Sequence, residues 1–293
     1  MTSERLAEQT IRLTADDASL TIDPTGGGRI VSARILGREL LVTSGLRPID
    51  SGCFPMVPFA GRLRDATLRH AGREWRLPAT EAPHAIHGTV ATRPWRVDDD
   101  RTLSIDLGPD WPFHGRVTQR FDLQPGRLRV ELELQADEPM PAMLGWHPWF
   151  RWHLDGSGAD ASGRAELELA PGAMYERDAD GIALDRLVAP PPGPWDDCFT
   201  GLARPPVVRW PGSLELRIES SCPDWVVFTE SPRGLCVEPQ TGPPDAPNTG
   251  PQLVEPGSPL RAEMCWSWQA RSSAGRDDKR RLAGTQVDLP VRS

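Results

Sequence analysis

Three short segments carry the residues best suited to proton transfer. His87 lies in HAIHG (84–88) and His147 in GWHPWF (145–150), each where glycine or proline interrupts an apolar run. Imidazole titrates closest to neutrality of the common side chains, so a histidine in such a loop suits general acid or base work. It equally suits a buried structural role. The third segment, CVEPQTGPPDAPN (236–248), ends an apolar run on Glu238 and then breaks into prolines. Cys236 and Val237 before it point to partial burial, which raises a carboxyl pKa toward the range useful to a base at neutral pH. The alternative is a solvated glutamate at a strand end. Trp146, Trp149 and Phe150 beside His147 are of the type that stacks on sugar rings or fills a core, and spacing alone leaves both open. Asp98, Asp99 and Asp100 before Arg101 read as a solvated hairpin turn.

Other chemistries are excluded by what is missing. Cysteines 53, 198, 222, 236 and 265 form no CxxC pair, and their odd number fits free, buried thiols. No metal-ligand spacing surrounds them, so no metal site is predicted. Every basic residue is arginine except Lys279, near the C-terminus. That removes a desolvated Schiff-base lysine and a GxxxxGK phosphate loop. Gly26, Gly27 and Gly28 lack GxGxxG spacing, so a dinucleotide cofactor is not predicted either. The net charge of -8 argues against nucleic acid or an anionic membrane as partner and favours a neutral small molecule. The first residues contain no apolar run of signal-peptide length, and a cytoplasmic location is expected.

The elements that must position these residues are strands. Short runs such as ASLTIDPTGG, GRIVSARILGRELLV, SLELRIES, DWVVFTE and RAEMCWSWQ are bounded by turn residues. In VTQRFDLQPGRLRVELELQA polar and apolar residues alternate about a QPG turn, the pattern of a hairpin with one buried face. With 31 prolines and 27 glycines, few windows can hold an ordinary helix. The expected fold is all-β, a large antiparallel sandwich or barrel. Strand runs continue on both sides of the proline cluster APPPGPW (189–195), so one domain is expected over residues 1–270. Residues 271–293 read as a polar C-terminal appendage.

The segments GCFPMVPFAGRLRDATLRHAGREWRLP, HAIHG, GWHPWF, WDDCF and CVEPQTGPPDAPN resemble, in order and approximate spacing, those of the bacterial aldose 1-epimerases. GGGRI near residue 26 resembles that family's early hairpin. The resemblance implies a β-sandwich of the galactose mutarotase type, a cleft for a monosaccharide substrate, and no cofactor. Arg62 matches the arginine that contacts sugar hydroxyls, and His87 the histidine near the ring oxygen. His147 matches the general acid and Glu238 the general base, expected on opposite sides of the hemiacetal. Asp196 matches the sugar-binding aspartate, with Asp197 as a neighbouring candidate. Two positions depart from the galactose-specific pattern: Gly61 replaces an asparagine and Val226 a glutamine, which puts sugar identity in question. Two alternatives accompany this reading. One is a hexose 6-phosphate 1-epimerase using Arg62 with Arg64 or Arg93, and the other a non-catalytic sugar-binding module on the same fold.

Overall fold

A computed structural model describes residues 10–154 and 163–271. Two antiparallel sheets dominate these residues, one of eleven strands and one of eight. The sandwich expected from the strand runs therefore forms. A four-residue α-helix, Ala246–Thr249, is present, and no helix among the described residues is long and apolar enough to cross a membrane. Apart from Arg271, the stretch expected to form an appendage, with Lys279, lies outside the described residues.

Alternation explains how the layers meet. The QPG hairpin pairs Gly115–Gln124 with Arg127–Ala136 from Gly115↔Ala136 to Gln124↔Arg127. Val117, Phe121, Val130, Leu132 and Leu134 are buried at every second position, as a half-buried antiparallel pair requires. Pro125 and Gly126 turn the chain, and Gly126 has φ 75°, which suits the second central position of a type II turn. From the eight-stranded sheet Trp210 and Trp266 meet Phe150 of the other sheet at ring separations of 6.4 and 5.2 Å. The core thus lies between the sheets.

The centre of the eleven-stranded sheet positions the candidate residues. There Cys53–Met56, Gly145–Arg151, Gly234–Gln240, Asp224–Phe228 and Asp196–Thr200 lie side by side in that order. GWHPWF, which reads as a turn-like break, is instead a central strand. Pro148 has no N–H to give a ladder and is ordinarily confined to sheet edges. Its accommodation is local: pairing with the next strand holds at Gly145↔Gln240 and Trp149↔Cys236, with His147 and Pro148 between.

Candidate active site

Cross-strand register brings His147 and Glu238 together. His147 pairs with Phe54, and Glu238 with Val226, which pairs in turn with Cys198. The pairs Gly145↔Gln240 and Trp149↔Cys236 place His147 opposite Glu238. Directly opposed residues share a face of a sheet, so these side chains form one row facing away from the core. Nε2 of His147 lies 3.2 Å from Oε1 of Glu238. Both side chains are buried, at 8% and 3% exposure. They are neighbours on one face and reach the cleft from the same side, not from two opposite sides.

Period-two alternation also settles the aromatic residues. Trp146 and Phe150 point into the core, at 1% and 0% exposure. Trp149 points the other way, stacks near-parallel to His147 at 5.5 Å, and lines the cleft. Its indole N–H donates to the carbonyl of Ile49 at 2.9 Å, which fixes the ring. Phe54 stacks on His147 at 4.8 Å, and the Arg29 guanidinium lies 5.2 Å from the Phe54 centroid.

The other candidates converge on the same cleft, a cavity of about 360 Å3. Arg62–Leu63 pairs with Ala85–Ile86, and the His87 N–H donates to the carbonyl of Gly61 at 3.0 Å. This small ladder delivers both Arg62 and His87 to the cleft. His87 meets the His147 ring edge-on at 4.8 Å. Gly88 follows with φ 78°, and a Cβ there would lie 2.1 Å from the carbonyl oxygen of Val57; only glycine fits after this histidine. Asp196 opens the strand that follows the proline cluster, and Asp197 lines the cleft beside it. Arg177 reaches both carboxylates, at 3.3 Å to Asp196 and 3.2 Å to Asp197.

Burial governs the electrostatics. It pushes His147 down to about 3, and the Arg29 charge acts in the same direction. It holds Glu238 well above the usual carboxylate range, with the Asp196 charge adding to the rise. A hydrogen bond from Gln240 Nε2 to Glu238 Oε2, 3.3 Å long, opposes that rise. His87 is lowered by burial, then by His147 and Arg62. Burial thus favours the uncharged pair, a neutral imidazole beside a carboxylic acid. Moving one proton across 3.2 Å converts it into imidazolium and carboxylate with the same total charge. Burial opposes each isolated ion more than the adjacent pair, because opposite charges in contact offset much of the desolvation.

Several cleft residues carry no mark in the sequence. Arg47, Arg177 and Tyr175 line the cavity from segments without any motif, and only the three-dimensional arrangement reveals them. Gln240 stands two residues after Glu238 on the same strand and so on the same face. The arginines considered for a phosphate are otherwise engaged. Arg64 pairs with Asp178 at 2.5 Å and lies 3.6 Å from Asp180, while Arg93 donates to the carbonyl of Asp106 at 3.1 Å. Neither lines the cleft; Arg62 does. Among the described residues, one group could hold a metal: His147, Cys236 and Glu238 each place a ligating atom within 4.8 Å of the other two. All five cysteines are buried and free.

The aldose 1-epimerase family model matches residues 9–266. The chain belongs to the aldose 1-epimerase family. It is 31% identical over 147 residues to the uncharacterized protein YphB of Escherichia coli, covering 47% of this chain and 51% of that one. The chain spans about half the length of the curated relatives it matches. Among solved structures, it is similar to a galactose mutarotase-like protein from Clostridium acetobutylicum, with a TM-score of 0.76 at 16% identity over 89% of this chain and 95% of that one. It is also similar to galactose 1-epimerase from Lactobacillus acidophilus, with a TM-score of 0.71 at 15% identity, covering 88% and 93%. The fold is thus of the galactose mutarotase type, as the ordered segments led one to expect.

Proposed function

We propose that this chain interconverts the α and β anomers of free aldoses without a cofactor, with Glu238 and His147 as its acid–base pair. The observation that carries this reading is the 3.2 Å approach of two buried, oppositely tuned groups at the floor of a sugar-sized cleft. A cavity of about 360 Å3 lies near the lower end of the roughly 300–1,000 Å3 usual for small-molecule sites.

In this mechanism Glu238, as carboxylate, takes the proton of the C1 hydroxyl while His147, as imidazolium, protonates the ring oxygen. The C1 to ring-oxygen bond breaks and C1 becomes an aldehyde. Rotation about C1–C2 presents its other face, and reclosure returns both protons with the roles exchanged. Both oxygens of a hemiacetal sit on one carbon, so a donor and an acceptor 3.2 Å apart can serve them from one side. The pair starts and ends with one proton, so the cycle needs no exchange with solvent. Arg62, His87 and Asp196 are the proposed sugar contacts, and Arg177 holds Asp196 in place.

Rates of mutarotation of freshly dissolved α-glucose, α-galactose, arabinose, xylose and glucose 6-phosphate, followed by polarimetry, test the proposal. Acceleration of the unphosphorylated sugars above the spontaneous rate is expected. Acceleration of glucose 6-phosphate alone would move the substrate to phosphorylated hexoses, and sugar binding without acceleration would leave a binding module. Arg64 and Arg93 lie away from the cleft, but Arg47, Arg62, Arg177 and Arg233 line it, so the glucose 6-phosphate arm decides between the two substrates.

A further inference from the structure

The acid–base pair has a third neighbour that the proposed chemistry does not use. Cys236 precedes Glu238 by two positions on one strand, so its thiol emerges on the same face, opposite Trp149. Its side chain is fully buried. Sequence spacing conceals this cluster, since His147 comes from a different strand. One ligating atom from each of the three residues lies within 4.8 Å of the others, and the imidazole and carboxyl atoms are 3.2 Å apart. With no two of these atoms more than 4.8 Å apart, a central ion would stand at most about 2.8 Å from each, against roughly 2.0–2.3 Å for zinc bonded to nitrogen, oxygen or sulfur. Movements of under about an ångström would close the site.

We propose that His147, Cys236 and Glu238 form an inhibitory site for a borderline-soft divalent cation of the zinc type. One imidazole, one thiolate and one carboxylate suit zinc or cadmium and do not suit magnesium or calcium, which select oxygen donors. Three protein ligands leave a coordination position open toward the cleft for water or a sugar hydroxyl. The charges balance: with Cys236 as thiolate and Glu238 as carboxylate, a divalent cation leaves the buried cluster neutral. No net charge is then left in the protein interior, where it would be costly. The bound ion occupies Nε2 of His147 and Oε1 of Glu238, the atoms that the catalytic proposal assigns to proton transfer. Inhibition rests on that proposal; binding does not.

The test is titration of chelator-stripped protein with zinc chloride and cadmium chloride by calorimetry, with the ultraviolet cadmium–thiolate band recorded in parallel. Mutarotation of glucose is measured at each metal concentration. One ion per chain, a thiolate band and loss of activity along the binding curve are expected. Cys236→Ser and Cys236→Ala should abolish the band and retain metal-free turnover. They should weaken binding by more than the roughly 10–100-fold typical of losing an outer-shell partner. Two cysteine variants separate a ligand role from a packing defect, since alanine leaves no polar group behind. Wild-type affinity in both variants, or binding without the band, would overturn the site. Binding with the band while turnover continues, or rises, would overturn its inhibitory role. A metal-free protein that does not accelerate mutarotation would count against the catalytic proposal alone, and the titration would still decide the site.

Discussion

Nε2 of His147 faces Oε1 of Glu238 at 3.2 Å across two adjacent strands, with both side chains buried on the cleft face of the sheet. Replacing either partner by its near-isostere should uncouple binding from turnover. Glu238→Gln and His147→Asn are each expected to lower kcat by about 100-fold or more, the usual scale for a positioned acid or base. KM should change much less. The double variant should lose less than the product of the two effects, because the groups act in one coupled step. His87→Asn should raise KM as well, since its proposed role is to hold the sugar. Steady-state polarimetry on the four variants checks all of this.

The pH profile follows from the directions in which burial moves the pair. The productive pair carries one proton and is lost when a second is added or the first removed. With His147 pushed down to about 3 and Glu238 held well above its ordinary value, the singly protonated window widens. The acid limb of kcat/KM should therefore fall well below the ordinary histidine pKa of about 6.5. An acid limb near that value would show that the catalytic histidine is not desolvated.

The same shifts enter stability, with opposite signs. The raised Glu238 contributes stability below its unfolded value of 4.5 and loses it as pH rises through its folded value, because only the unfolded chain ionises freely. Glutamine does not ionise, so Glu238→Gln should gain Tm relative to wild type as pH rises from about 5 to about 8. The depressed His147 contributes stability above 6.5 and loses it as pH falls toward about 3. His147→Asn should accordingly blunt the loss of Tm in acid. Thermal melts across pH give both differences without any activity assay.

Pro244 closes off the space beside Gly61. Gly61 has φ 66°, and a Cβ there would lie 2.7 Å from the Pro244 ring. Asparagine tolerates that backbone conformation, but the rigid ring leaves no room for its side chain. Gly61→Asn should thus cost stability, about 1–3 kcal/mol as for an overpacked site, and Pro244→Ala should relieve part of it. Tm values of the single and double variants decide this.

Val226 stands beside Glu238 without a polar group. A position lacking a hydrogen-bond partner leaves none unpaired by the wrong sugar, so the wild type should prefer galactose to glucose by less than about 100-fold in kcat/KM. A larger ratio would mean that other cleft residues, such as Tyr175 or Arg47, read the C4 hydroxyl.

Much of this arrangement could be read from the sequence, for reasons that differ by residue. Hairpins such as Gly115–Gln124 with Arg127–Ala136 were legible because alternation and a Pro-Gly turn are local signals. His87, His147, Glu238, Arg62 and Asp196 were legible through motifs, and the fold brings all five to one cleft. The strand nature of GWHPWF was not, because Pro148 is a local argument against a central strand that tertiary pairing overrides. Arg177 was not, because its value lies in reaching Asp196 and Asp197 from a strand with no motif. Nor was the approach of Cys236 to His147, which depends on the register between two strands far apart in sequence.

Opening and reclosure of a free hemiacetal by Glu238 and His147 can be followed at equilibrium by NMR. Magnetisation transfer between the α and β C1 signals of glucose would be measured with wild type and Glu238→Gln, in the presence of chelator, with methyl α-glucoside as a control. Faster exchange is expected with wild type, at least about a 100-fold loss with Glu238→Gln, and no exchange for the glucoside, whose C1 oxygen has no proton to give. Exchange unaffected by wild type, or retained by Glu238→Gln, would contradict this mechanism.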